Sequence, residues 1–342
     1  MEVIVHIGMP KTGTTALQRT LAYNRDQLRD SGILYPEGFI YKDDHKELVG
    51  ALRPVKALSR SLLKEYGDDL NRRNTDYDRL LGSIQASAEQ LSLRAVVLSA
   101  EGLFNTRQPD KLQKFERDLR KIGDRIHIVV YIRDPAGHYL SHAQQVLKAS
   151  HILPRFKNRQ YRNKISRFVT IADRLTVAPF ERDQLRGGDI TKDFMGRIFP
   201  NLPHLQKIIA PQMANETMSA EAMEILQQHR LEKFRDQPNI FTEETDHLRH
   251  TLTHLDRNFS GYTRPRLLSS ARETVIALNT DLLWLYEHFG ISFKGITPQG
   301  VSTGPTEVRQ PETVADICQI AASRREALTL ALKEALHSDS RC

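Results

Sequence analysis

Lys11 sits inside GMPKTGTT (8–15), a stretch that keeps the glycine spacing of a phosphate-binding loop but moves its lysine. In the usual G-x-x-x-x-G-K-[ST] loop the lysine follows the second glycine directly. Here Gly8 and Gly13 hold the glycine places and Thr15 the hydroxyl place, while Thr14 stands where lysine is expected. From inside the loop the Lys11 ammonium can reach the outer, reacting end of a bound phospho-anhydride while Gly13, Thr14 and Thr15 cradle the inner phosphate. The apolar run EVIVHIG before the loop predicts a buried strand. Leu17, Leu21 and Leu28 after it predict a helix that runs to Gly32. Strand, glycine-bearing turn and helix in this order gather backbone N–H groups and a positive dipole end around one anion.

The elements that must position this loop follow from the rest of the chain. GILYP (32–36), RAVVLSAE (94–101), IHIVVYIRDP (126–135) and LTVAPF (175–180) read as further strands, and leucines at helical spacing fill 43–93. A helix is expected from Ala136 to about Ala149, and the chain beyond residue 185 reads as mainly helical. Strands alternating with helices predict an α/β fold, a three-layer sandwich with a central, mostly parallel sheet and a P-loop, followed by a largely helical C-terminal part. The expected organisation is one P-loop domain over 1–295 with a helical insertion at 43–93, a linker over 296–311 and a C-terminal helix over 312–342. Ligands in such sheets bind outside the carboxyl ends of the strands. Three places therefore matter most: the loop after Ile7, the end of RAVVLSAE and the end of IHIVVYI.

Composition narrows the partners. The 342 residues carry 49 Lys and Arg against 42 Asp and Glu, a net charge of +7, which favours anionic ligands. Seven basic residues and no acidic one fall in 148–167, with Phe156 and Tyr161 interleaved. This run reads either as a solvated face or as a surface for an anionic nucleotide, acidic polysaccharide, anionic lipid or nucleic acid. The two cysteines, Cys318 and Cys342, fit a reducing compartment rather than a disulfide framework. No signal-like N-terminus and no run near the ~18 apolar residues of a membrane span is seen, so the expectation is a cytoplasmic protein with at most peripheral membrane contact. H-E-x-x-H, C-x-x-C and G-x-S-x-G are missing from the sequence, which gives no support to metal-assisted or serine hydrolysis.

PKTGTTALQ (10–18) resembles the 5′-phosphosulfate loop of sulfotransferases that use 3′-phosphoadenosine 5′-phosphosulfate (PAPS) as donor. VVYIRDPAGHYLSHAQQ (129–145) is similar to the 3′-phosphate motif of that family, with Arg133 at the strand end and Ser141 eight residues on. A guanidinium and a hydroxyl so placed can clamp a second phosphate, and two phosphate sites describe a 3′,5′-bisphosphate nucleotide better than ATP. Looser similarity to bacterial carbohydrate-type sulfotransferases extends over about 1–295. The resemblance implies donor contacts from Pro10, Lys11, Thr12, Gly13, Thr14, Thr15, Arg133 and Ser141, with Asn215 and Ser219 as further candidates. An N-cap role for Thr217 or Ser219 competes with the last of these. It also implies PAPS as co-substrate, 3′,5′-adenosine bisphosphate as product, no metal requirement, and a saccharide or glycolipid acceptor rather than nucleic acid.

Sulfuryl transfer needs positioning, charge stabilisation and a base for the acceptor's proton. Lys11 is expected to stabilise the leaving oxygen. Glu101, at the end of RAVVLSAE, is the first candidate base and resembles the glutamate that serves in carbohydrate sulfotransferases. Ser99, two residues earlier, is a candidate to orient it. His45 in KDDHKEL is the second candidate, since cytosolic-type sulfotransferases use histidine, although its charged neighbours predict a surface position. Two other readings stay open: a small-molecule P-loop kinase, on Gly8, Gly13 and Thr15, and a non-catalytic acidic-glycan-binding protein, on the 148–167 run.

Overall fold

A computed structural model gives the structure and describes residues 1–208, 217–298, 304 and 307–339. In chain order the elements are β1 (Glu2–His6), α1 (Thr14–Tyr23), α2 (Arg25–Asp30), β2 (Ile33–Leu34), α3 (Lys46–Leu52), α4 (Arg60–Tyr66), α5 (Leu70–Gln90), β3 (Ala95–Ser99), α6 (Pro109–Arg120), β4 (Arg125–Ile132), α7 (Pro135–Leu147), α8 (Tyr161–Val169), β5 (Arg174–Pro179), α9 (Ile190–Ile198), α10 (Ala220–Lys233), α11 (Glu243–Asn258), α12 (Ser269–Ala277), α13 (Leu282–Phe289) and α14 (Ala322–Asp339). The chain divides into two compact units. One holds Met1–Asp134, Gln160–Met213 and Trp284–Gly295; the other holds Pro135–Arg159, Ala214–Leu283 and Ile296–Cys342.

In the first unit the five strands form one parallel sheet in the order β2-β3-β1-β4-β5. Its strands are continuous apolar runs because both faces are covered. Ile4, Val97, Val129 and Tyr131 pack in one core with Leu17 and Leu21 of α1 and Phe194 of α9. Their alternates Val3, Val5, Val96, Leu98, Ile128 and Val130 point to the opposite face and are fully buried.

The strand order fixes where a ligand belongs. From β1 the chain moves through α1 and α2 to β2 on one side, and from β3 it crosses back through α6 to β4 on the other. With right-handed crossovers these connections leave on opposite faces, which opens a crevice between the carboxyl ends of β1 and β3. The loop bearing Lys11 and the turn bearing Glu101 are the two walls of that crevice.

The expected helix from Thr14 to Gly32 is two helices, α1 and α2. Asn24 takes a non-helical backbone between them, and its side-chain amide donates to the Thr20 carbonyl at 2.7 Å. The helical content expected of 43–93 is present as α3, α4 and α5.

The second unit is helical around Tyr139, Leu147, Met223, Leu226, Leu252 and Leu328. The expected three-part division at 295 and 311 does not follow the two units, because α7, α10 to α12 and the segments after Gly295 build this second core and not the sheet. The expected C-terminal helix over 312–342 begins only at Ala322. Before it, Thr313 and Asp316 form a capping box on a short 3-10 turn, and Gln227 accepts from the Val314 N–H at 2.9 Å and donates to the Glu312 carbonyl at 2.8 Å. These contacts hold 312–318 as a packed strap. No helix among the described residues is long and apolar enough to cross a membrane.

Candidate active site

The phosphate-type loop continues β1 without a break. The Ile7 and Met9 N–H groups donate to Val129 and Tyr131 carbonyls at 3.0 Å each, and Tyr131 N–H returns a bond to Gly8 at 2.8 Å. Gly8 has φ +110, and a Cβ there would meet the Glu101 carbonyl oxygen at 2.9 Å and its Cα at 3.1 Å. Glycine thus lets the loop lie directly on the backbone of Glu101. Gly13 closes the loop at φ +72 as the residue before α1, with no side chain capping the helix. Inside, the Thr12 hydroxyl donates to the Met9 carbonyl at 2.6 Å.

Lys11 itself has φ 71, a left-handed backbone that an L side chain adopts at a cost of about 1–2 kcal/mol. Its carbonyl accepts from Arg133 Nη1 at 3.1 Å, and the Arg133 carbonyl accepts from the Tyr161 hydroxyl at 3.1 Å. Arg133, expected as a phosphate clamp, therefore holds the strained loop in place. Burial weakens its hold on its proton, and the neighbouring Asp134 opposes that effect.

Glu101 opens the short helical turn after β3. Burial raises its pKa above the ordinary carboxylate value; the Lys11 ammonium, the Thr14 hydroxyl and Lys46 pull it back, and Asp44 pushes it up again. Lys11 is thus the strongest stabilising charge at the carboxylate. A cleft of 560 Å³ opens beside it, within the usual range for small-molecule sites. Glu101 and Gly102 form one wall, Thr15 and Arg19 of α1 another, and Lys46 and Arg53 at either end of α3 a third. Lys46 is held by Asp44 at 2.9 Å and lies 3.8 Å from the centre of the Tyr41 ring.

His45 is corrected as a base and as a surface residue. It is fully buried; its Nδ1 accepts from the Ser99 N–H at 2.9 Å and its Nε2 donates to the Pro36 carbonyl at 3.0 Å. With both nitrogens engaged it has none to offer an acceptor, and burial lowers its pKa to about 4. Its function in the fold is to fasten the loop before α3 to the end of β3. Ser99 does not orient Glu101 either: its hydroxyl pairs with His6 Nδ1 at 2.8 Å and with Gln18 Nε2 at 3.2 Å.

Ser219 is corrected as a donor contact. It is the fully buried N-cap of α10, and its hydroxyl donates to Asp256 at 2.7 Å and accepts from Arg324 at 2.9 Å and from the Ala222 N–H at 3.2 Å. Asn215 lies outside the described residues. Ser141 is half-buried on α7, which belongs to the second unit.

The basic run is divided. Residues 148–159 belong to the second unit, where Arg159 is buried, and 160–167 belong to the first, where Arg167 donates to the Thr106 carbonyl at 3.3 Å. Sequence reading missed Lys46, Arg19 and Arg53. The only signal for them was the i, i+4 spacing of Thr15 and Arg19 on one face of α1. Among the described residues, no group of three or more His, Cys, Asp or Glu side chains is arranged to hold a metal ion. Neither a protein-family model nor a curated protein matches this chain, so the functional reading stands on its motifs and this geometry.

Proposed function

We propose that the chain transfers a sulfuryl group from PAPS to a hydroxyl or amine of a saccharide or glycolipid acceptor. One observation carries the reading: a carboxylate with a raised pKa, Glu101, lies beside the Lys11 ammonium at adjacent strand ends and opens onto a cleft. In the reaction, the acceptor oxygen bonds to sulfur as the bond from sulfur to the bridging phosphate oxygen breaks. The electron pair goes to that oxygen, where Lys11 compensates the new charge, and the acceptor proton goes to Glu101. The first turn of α1 and the loop from Pro10 to Thr15 supply N–H groups and hydroxyls for the donor's 5′-phosphate. Arg133, at the end of β4, is assigned to the 3′-phosphate on its place in the sequence motif.

The test is transfer of label from [35S]PAPS to a panel of glycans and glycolipids. The expected result is a labelled glycan or lipid with wild-type protein and none with Lys11→Ala. Label on no acceptor, together with phosphate transfer from ATP–magnesium, would replace the reading with a kinase.

A further inference from the structure

Arg53 lines the cleft and, among the described residues, has no salt-bridge partner; Arg107, beside the Thr106 that Arg167 holds, acts on the charge of both Arg53 and Arg167. Arg53 ends α3 and lines the cleft; burial and the charge of Arg107 both make its proton easier to lose. Arg167 of α8 is shifted in the same direction by burial and by the same Arg107. Among the described residues Arg167 donates to neutral acceptors, the Thr106 carbonyl and Asn163 Oδ1, and Arg73 donates to the Arg53 carbonyl. Among the described residues none of Arg19, Arg53, Arg107 and Arg167 forms a salt bridge.

The acidic groups of the cleft do not balance this charge. Asp44 is bound to Lys46, and Glu101 is next to Lys11. Lys42, the remaining lining cation, pairs with Glu37 at 3.3 Å. Asp43 then shares the lining with Arg19 and Arg53, and Arg107 adds its charge on the Arg53 side. A half-buried guanidinium with no ion-pair partner and a second cation acting on it gains from a bidentate anion.

We propose that the occupant of the cleft is an anionic saccharide, and that Arg53, reinforced by Arg107, binds its carboxylate, sulfate or phosphate group. Lys46, whose charge acts on Glu101, and Arg53 stand about 10 Å apart along α3, so the anionic group is bound at the end of that helix away from Lys46. That this saccharide is the acceptor rests on the sulfuryl-transfer reading; the anion site itself does not.

The experiment is calorimetric titration, without donor, of a uronate-bearing tetrasaccharide, a sulfated tetrasaccharide and the carboxyl-reduced neutral form of the first. The expected result is that at least one anionic form binds about tenfold more tightly than the neutral one at low salt, and that the advantage disappears in Arg53→Gln. Arg107 is exposed, so Arg107→Gln serves as a second variant that keeps the fold and should shrink the same advantage. Equal binding of all three saccharides, binding of none, or an anionic advantage that survives both substitutions would overturn the proposal. A titration of 3′,5′-adenosine bisphosphate separates the two readings. If it does not bind while the anionic preference holds, sulfuryl transfer falls and the anion site stands; if it binds with no anionic preference, only the anion site falls.

Discussion

Two charged clusters, one in each unit, contain a glutamate beside a cation and reach opposite ends. At the strand ends of the first unit, burial raises the pKa of Glu101 and the nearby Lys11, Thr14 and Lys46 do not fully offset it. In the second unit, burial also acts on Glu221, but the Ala321 amide, its own amide and Arg324 outweigh it, and its pKa is lowered. Around Glu221 every group is answered: Asp256 accepts from the Ser219 N–H and hydroxyl at 2.7 Å each and from Arg324 at 2.8 Å. Around Glu101 the loop is strained and the carboxylate opens onto a cleft. A saturated polar cluster holds a fold together, whereas an under-compensated one facing a cavity is ready to act on a ligand.

The largest expected effect that tests this contrast is on Glu101. Glu101→Gln should lower kcat/KM for sulfuryl transfer by about 10²–10⁴, the range for loss of a general base. In the wild type the acid limb of the pH–rate profile should lie above the ordinary carboxylate value of 4.5, because the base form is populated only once the pH passes the raised pKa. The same shift makes the fold lose stability as pH rises from 4.5 through that raised value, and Glu101→Gln should remove both features. A transfer rate and acid limb unchanged in Glu101→Gln would assign the base elsewhere.

Asp256→Ala should do the reverse, affecting stability and sparing chemistry. It leaves Arg324 and the Ser219 amide without their buried partner, at a cost of about 3–5 kcal/mol read as a lower melting temperature. The affinity for 3′,5′-adenosine bisphosphate should not change at temperatures where the variant is folded. A selective loss of that affinity would return Ser219 to the donor site.

What the sequence made legible was local. β1, β3 and β4 were readable because parallel strands buried on both faces are unbroken apolar runs, and GMPKTGTT because its glycine spacing lies within eight residues, although what Gly8 makes room for, the Glu101 backbone, is brought there by the fold. The broken helix at Asn24 and the late start of α14 were hidden, since a side-chain amide in one case and Gln227, 85 residues away, in the other decide them. His45 looked exposed because its neighbours in KDDHKEL are charged, yet Ser99 and Pro36 enclose it. Ser219 carried two readings in sequence, and Asp256 and Arg324 select the cap. Lys46 and Arg53 had no signal at all, because α3 meets Glu101 only through the fold.

The smallest expected effect comes from Lys11, whose side chain is needed while its backbone is strained. Replacing it with glycine relieves the left-handed strain but removes the charge that offsets Glu101, so Lys11→Gly should be more stable than wild type by about 1 kcal/mol only at a pH where Glu101 is protonated, in the absence of ligand. The most direct measurement is the melting temperature of both proteins alone, with 3′,5′-adenosine bisphosphate and with ATP–magnesium. The account predicts a bisphosphate shift in the wild type larger than the ATP–magnesium shift, and loss of most of it in Lys11→Gly. Equal responses to the two nucleotides in the wild type, or a bisphosphate shift that Lys11→Gly retains in full, would contradict it.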